Sequence, residues 1–139
     1  MKKLSDSRQF AADMHRFNEV MAFLESFCRE AGASHRTCLR LTLVVEELFT
    51  NTVRHGYGGD REQPIWLSLN SRADEIELNY EDAAPMYNPF SAPPRSGEDQ
   101  VGGWGVGLIK SMANYARYSR TGERNRICLT LAATGPDIS

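Results

Sequence analysis

GGWGVGLIKSM, residues 102–112, is the stretch on which the reading of this chain turns. Four glycines within six residues run straight into the apolar pattern of a short helix. Glycine reaches positive φ without steric cost and lets the backbone approach a ligand closely. A helix that opens there presents unpaired N–H groups and the positive end of its dipole, an arrangement suited to a phosphate. Glycine-rich turns also serve plain loops. The stretch gains its weight from two upstream segments, EELFTN at 46–51 and EDAAPMYNPF at 81–90.

Composition narrows the class. A chain of 139 residues suffices for one domain with a real core. Sixteen basic against eighteen acidic residues leave a net charge of −2, so nothing marks a direct nucleic-acid surface. No apolar run approaches the roughly eighteen residues of a membrane span, and MKKLSDSRQF lacks the apolar segment of a signal peptide. Cys28, Cys38 and Cys128 are odd in number and scattered, and read as reduced thiols in core positions. The expectation is one cytoplasmic domain over 1–139, without a membrane or nucleic-acid partner, and with a frayed tail at 134–139.

Periodicity sets the elements. Met14, Phe17, Met21, Leu24 and Phe27 recur at helical spacing within 11–31, and Gly32 closes that helix. Ser34 offers an N-cap to a second helix over 35–55. Residues 65–70 and 75–80 alternate as two strands, and 83–101 holds four of the six prolines, as a loop does. After the glycine segment and a helix to about Tyr115, residues 117–121 and 126–133 form a hairpin around GERN. Helices on one face of a mixed, mostly antiparallel sheet make the fold α+β, a two-layer sandwich.

At about 100° per residue, Cys38, Leu41, Val45, Leu48 and Phe49 share the buried arc of the second helix. Glu47 and Asn51, one turn apart, lie nearly opposite, with Arg40 and Arg54 beside them. A carboxylate can orient a nucleophile or take its proton, and an amide oxygen is a hard ligand for Mg²⁺. Taken alone, the pair describes an ordinary solvated helix face more often than a site. Asp82 ends the second of the two strands, where a carboxylate can accept a hydrogen bond from an exocyclic amine or simply cap a turn. Residues 85–101 have the composition of a lid, with Arg95 as its cation.

Order and spacing join these pieces. A Walker A loop and a GxGxxG dinucleotide fingerprint are both absent from the sequence. An E-x-x-x-N helix, a hairpin ending in Asp, a Pro-rich loop and a GxGxG turn opening a helix resemble the GHKL ATP-binding fold, the superfamily of the histidine kinases. Within it, E47-L-F-T-N51 with H55-G-Y57, D82-A-A-P-M-Y-N-P89 and G102-G-W-G-V-G-L108 resemble the anti-sigma-factor serine/threonine kinases of bacterial partner switching.

That resemblance implies roles residue by residue. Glu47 matches the catalytic carboxylate, and Asn51 the residue that binds Mg²⁺. Asp82 matches the aspartate that reads the adenine amine, and Gly103, Gly105 and Gly107 the phosphate box, with Val106 and Leu108 in the same turn. Implied with them are ATP and ADP as nucleotides, a sigma factor and a STAS-domain antagonist as partners, and a homodimer. One departure stands out: where the family has Asp-x-Gly, this chain has Asp82-Ala83-Ala84. An alanine at that close approach either weakens ATP binding or shifts the loop. The alternative function is a nucleotide-binding anti-sigma or regulatory module without significant kinase activity. Intact Glu47 and Asn51 favour the enzyme.

Overall fold

Five strands join a single sheet, which the helices cover on one face. The computed structural model describes residues 1–59, 62–90, 107, 109 and 111–132. The elements run β1 (Leu4–Ala11), α1 (Phe17–Ala31), α2 (His35–Asn51), β2 (Pro64–Ser71), β3 (Glu75–Asp82), β4 (Tyr115–Thr121) and β5 (Arg124–Ala132). The sheet order is β1-β2-β3-β5-β4, and every described pair is antiparallel. The α+β architecture expected from the sequence is what forms. Residues 107, 109, 111 and 112 are helical, and Ile109 is fully buried.

The first element differs from the sequence reading, which began with a helix near Ala11. A strand, β1, comes first and pairs with β2 from Leu4↔Ser71 to Ala11↔Pro64. It carries no apolar alternation because it is an edge strand whose residues from Ser5 to Gln9 are exposed. Arg8 stands where alternation would want an apolar side chain, and lays its guanidinium 5.2 Å from the Phe23 ring centroid. A 3₁₀ turn at Met14–Arg16, capped by Asp13, then delays α1 to Phe17.

The helix ends follow the signals in the chain. Gly32 closes α1 at φ 79°, its N–H reaching Cys28 O and Arg29 O. Ser34 Oγ accepts from Thr37 N at 3.1 Å to open α2. Phe17, Val20, Phe23, Leu24 and Phe27 of α1 and Leu41, Val44, Val45, Leu48 and Phe49 of α2 are buried. They face Ile65, Leu67, Leu69, Ile76, Leu78, Ile127, Leu129 and Leu131 of the sheet. Each such side chain stabilises the fold by about 1.5–3 kcal/mol, and this shared layer holds the ends of α2 and β3 together.

The β4–β5 turn is tighter than the sequence suggested. Gly122 turns at φ 62° and β5 begins at Arg124, so Asn125 belongs to a strand rather than to the turn. It lies in register with Asp82 of β3.

Candidate functional site

The C-terminal end of α2 changes its winding as it reaches the sheet. From Thr52 to Gly56 the helix is π-wound, with Tyr57 N donating to Thr52 O at 2.7 Å. Single π turns of this kind often sit at functional sites. Here the turn coincides with the place where Thr52 meets Asp82 and Tyr80.

Asp82, at the end of β3, is only 8% exposed. Its Oδ2 accepts from Thr52 Oγ1 at 2.8 Å. Its Oδ1 accepts from Asn125 Nδ2 at 2.9 Å and from Ala84 N at 3.2 Å. The Tyr80 hydroxyl lies 2.7 Å from Thr52 Oγ1 and 3.2 Å from Leu48 O. Thr52 has one proton, and Asp82 is nearer to it than Leu48 O at 3.0 Å. The chain of donation therefore runs from Tyr80 to Thr52 to Asp82. Burial holds the Tyr80 phenol well above its ordinary value, consistent with a group that only donates.

Around this carboxylate opens a cavity of about 250 Å³. Leu48, Ile127, Pro85 and Met86 supply apolar surface, while Asn51, Thr52, Asp82 and Asn125 bring polar groups to it. An apolar slot with one acceptor-only carboxylate is the chemistry that a flat, amine-bearing aromatic base requires. Its outer wall is held from two sides. Tyr57 accepts from Ala83 N at 2.7 Å and donates to Pro64 O at 2.8 Å. Arg120 Nη1 donates to Ala84 O at 2.9 Å.

The alanine that departs from Asp-x-Gly is accommodated. Ala84 is 2% exposed, and its methyl fills the space beside Gly56, where an added Cβ would meet it at 3.0 Å.

The structure brings Asn51, Asp82 and Ala84 of the expected site to one cavity, with His55 at its rim. Glu47 lies one turn back along α2, half-buried and outside that lining. Burial raises its carboxyl above the ordinary glutamate value, Glu46 adds to the rise, and Arg54 opposes it. Its neighbour Glu46 is exposed. Gly107 is helical and exposed. Gly103, Gly105, Val106 and Leu108 lie outside the described residues, as do Arg95, the rest of the proposed lid over 91–101 and the tail at 134–139. Among the described residues no three His, Cys, Asp or Glu side chains group as metal ligands, and no helix is long and apolar enough to cross a membrane.

Thr52, Tyr80 and Asn125 were missed by sequence reasoning. Tyr80 was within reach, because residues two apart on a strand share a face and Asp82 had already been singled out. Thr52 depends on the π turn, and Asn125 on the hairpin register, neither of which has a local signature.

A family model for the histidine kinase-like ATPase domain matches residues 10–131. The serine-protein kinase RsbW of Listeria innocua serovar 6a is 26% identical over an alignment of 98 residues, and the match covers 64% of this chain and 62% of that protein. The match thus spans less than two thirds of that relative. Among solved structures, the RsbU and RsbW domains of Rv1364c from Mycobacterium tuberculosis superpose with a TM-score of 0.67 at 18% identity. That likeness, over 98% of this chain and 35% of the other, is one of fold.

Proposed function

We propose, for a chain that belongs to the family of histidine kinase-like ATPase domains, that it is an anti-sigma factor and an ATP-dependent serine kinase. In this reading it sequesters a sigma factor and phosphorylates a STAS-domain antagonist on Ser or Thr. The observation that carries the nucleotide part is the convergence of Asn51 from α2 and Asp82 from β3 on one cavity. The similarity to a serine-protein kinase supports the choice of acceptor.

Each residue has a task. Asp82 accepts from the adenine amine while Leu48, Ile127 and Pro85 enclose the ring. Asn51 offers an amide oxygen to Mg²⁺, which suits an ion that arrives with its nucleotide's phosphates and keeps few protein ligands. When bound, Mg²⁺ neutralises charge on the phosphates during transfer. The N–H groups at Gly103, Gly105 and Gly107 hold the phosphates. Glu47 orients the acceptor hydroxyl and takes its proton, and its raised carboxyl pKa suits a general base. The protein acts in the cytoplasm as a homodimer.

The test has two arms. Calorimetry with ATP, ADP and Mg²⁺ measures nucleotide binding, and incubation with ATP, Mg²⁺ and the cognate antagonist followed by mass spectrometry measures phosphoserine. Binding together with phosphoserine is the expected result. Binding without transfer would leave a sequestering module, and absence of binding would remove the whole proposal.

A further inference from the structure

We propose that Asn125 is the positioning residue of this nucleotide site. It fixes the Asp82 carboxylate and the adjoining cavity wall together, and through them sets the preference for a 6-amino over a 6-oxo purine. The inference rests on the nucleotide-binding reading above and goes beyond it in naming what enforces base selectivity.

Asn125 is 8% exposed, and its amide is fully engaged. Nδ2 donates to Asp82 Oδ1 at 2.9 Å, Pro85 O at 3.0 Å and Ala84 O at 3.1 Å, so one of its two N–H bonds is shared. Oδ1 accepts from the Tyr118 hydroxyl at 2.7 Å, Tyr87 N at 3.1 Å and Arg120 Nη1 at 3.2 Å. Only acceptors surround one end and only donors the other, so the network fixes the amide's orientation: a flipped amide would satisfy neither side. One side chain on β5 thus ties the end of β3 to the backbone of residues 84, 85 and 87.

The consequence falls on Asp82. Asn125, Ala84 N–H and Thr52 all donate to it, so it is presented to the cavity as an acceptor only. A 6-amino purine donates to such a group. A 6-oxo purine would set its carbonyl oxygen against the carboxylate and leave a buried polar pair unmatched. Asn125 lines the cavity, but its amide is fully engaged, so it acts through Asp82 and the wall.

The experiment compares ATP with ITP, whose base carries a 6-oxo group in place of the 6-amine and, with it, a proton on N1. Binding with Mg²⁺ is measured by calorimetry on the full chain, alongside thermal melting. Asn125→Asp keeps the size, sets a second acceptor against Asp82 Oδ1 and removes the donors to Ala84 O and Pro85 O. The ATP affinity should fall about tenfold or more, with a much smaller change for ITP, so that the selectivity ratio contracts. A packing role alone would weaken both nucleotides in proportion. Tyr118→Phe leaves Asn125 Oδ1 with two donors and should lower ATP affinity about two- to fivefold at a near wild-type melting temperature. This second variant carries the test if Asn125→Asp does not fold. An ATP:ITP ratio unchanged in every variant that folds, with the wild type binding ATP, overturns the proposal alone. A wild type that binds no ATP overturns the nucleotide reading and this proposal with it.

Discussion

The methyl of Ala84 sits in the space that Gly56 leaves open: a Cβ on Gly56 would stand 3.0 Å from it. Two small residues on different elements thus share one volume, and the chain can carry Ala where an Asp-x-Gly pattern would place glycine. Gly56→Ala should push the 83–87 wall outward and lower ATP affinity by about 1–3 kcal/mol of overpacking. The double variant Gly56→Ala, Ala84→Gly should recover most of that loss, a coupling measurable by calorimetry as a double-mutant cycle. Additive losses would mean that the two residues do not compete for space.

Asp82→Asn should cost ATP binding and stability together. Thr52, Asn125 and Ala84 N–H all point donors at this carboxylate, so an amide at 82 either sets its NH₂ against Asn125 and Ala84 N–H or makes Thr52 turn its proton away to Leu48 O. The mismatch costs about 1–3 kcal/mol, or roughly 5- to 150-fold in ATP affinity. The preference over GTP should shrink as well. Calorimetry giving equal ATP binding in both proteins would remove Asp82 from the adenine site.

How much of this was legible in the chain depends on the range of the signal. The buried arc of α2, the Ser34 and Gly32 caps and the strands β2 and β3 are local patterns, and they formed as their residues dictate, except that Cys38, expected in that arc and in the core, is only half-buried at the first turn of the helix, as is Cys128 on β5. β1 was hidden because an edge strand with polar residues from Ser5 to Ser7 gains its order from pairing with β2 rather than from its own alternation. Asp82 announced itself by its place at a strand end. Its partners did not, since Thr52 and Asn125 lie 30 and 43 residues away in sequence and meet it only once the π turn and hairpin register are set.

Thr52→Val should uncouple that meeting without changing its shape. Valine matches threonine in volume but lacks the hydroxyl, leaving Asp82 Oδ2 without its donor and Tyr80 without its nearer acceptor. A loss of about 1–3 kcal/mol is expected in urea unfolding. Tyr80→Phe in the same background should add less than it costs alone, because the hydroxyls form one chain. Full additivity would show that the relay does not act as a unit.

Glu47 gives the clearest pH signature. Burial is the first cause of its raised carboxyl pKa, with Glu46 adding to the rise and Arg54 opposing it. A general base works only when deprotonated, so phosphoryl transfer should rise with pH through a limb above the ordinary glutamate value of 4.5. Glu46→Gln removes a like charge and should move that limb to lower pH, whereas Arg54→Gln removes an opposing cation and should move it higher. The stability sign follows from the same shift. A carboxylate raised in the folded state binds its proton more tightly there than in the unfolded chain, so its charge disfavours folding as pH climbs past the unfolded value. Glu47→Gln should therefore melt no lower than the wild type at neutral pH and retain ATP binding, while transfer falls by about 10²–10⁴. Rate–pH profiles of the single variants, read with melting curves, test all of this. A Glu47→Gln protein that transfers phosphate at the wild-type rate would shift the role to Glu46.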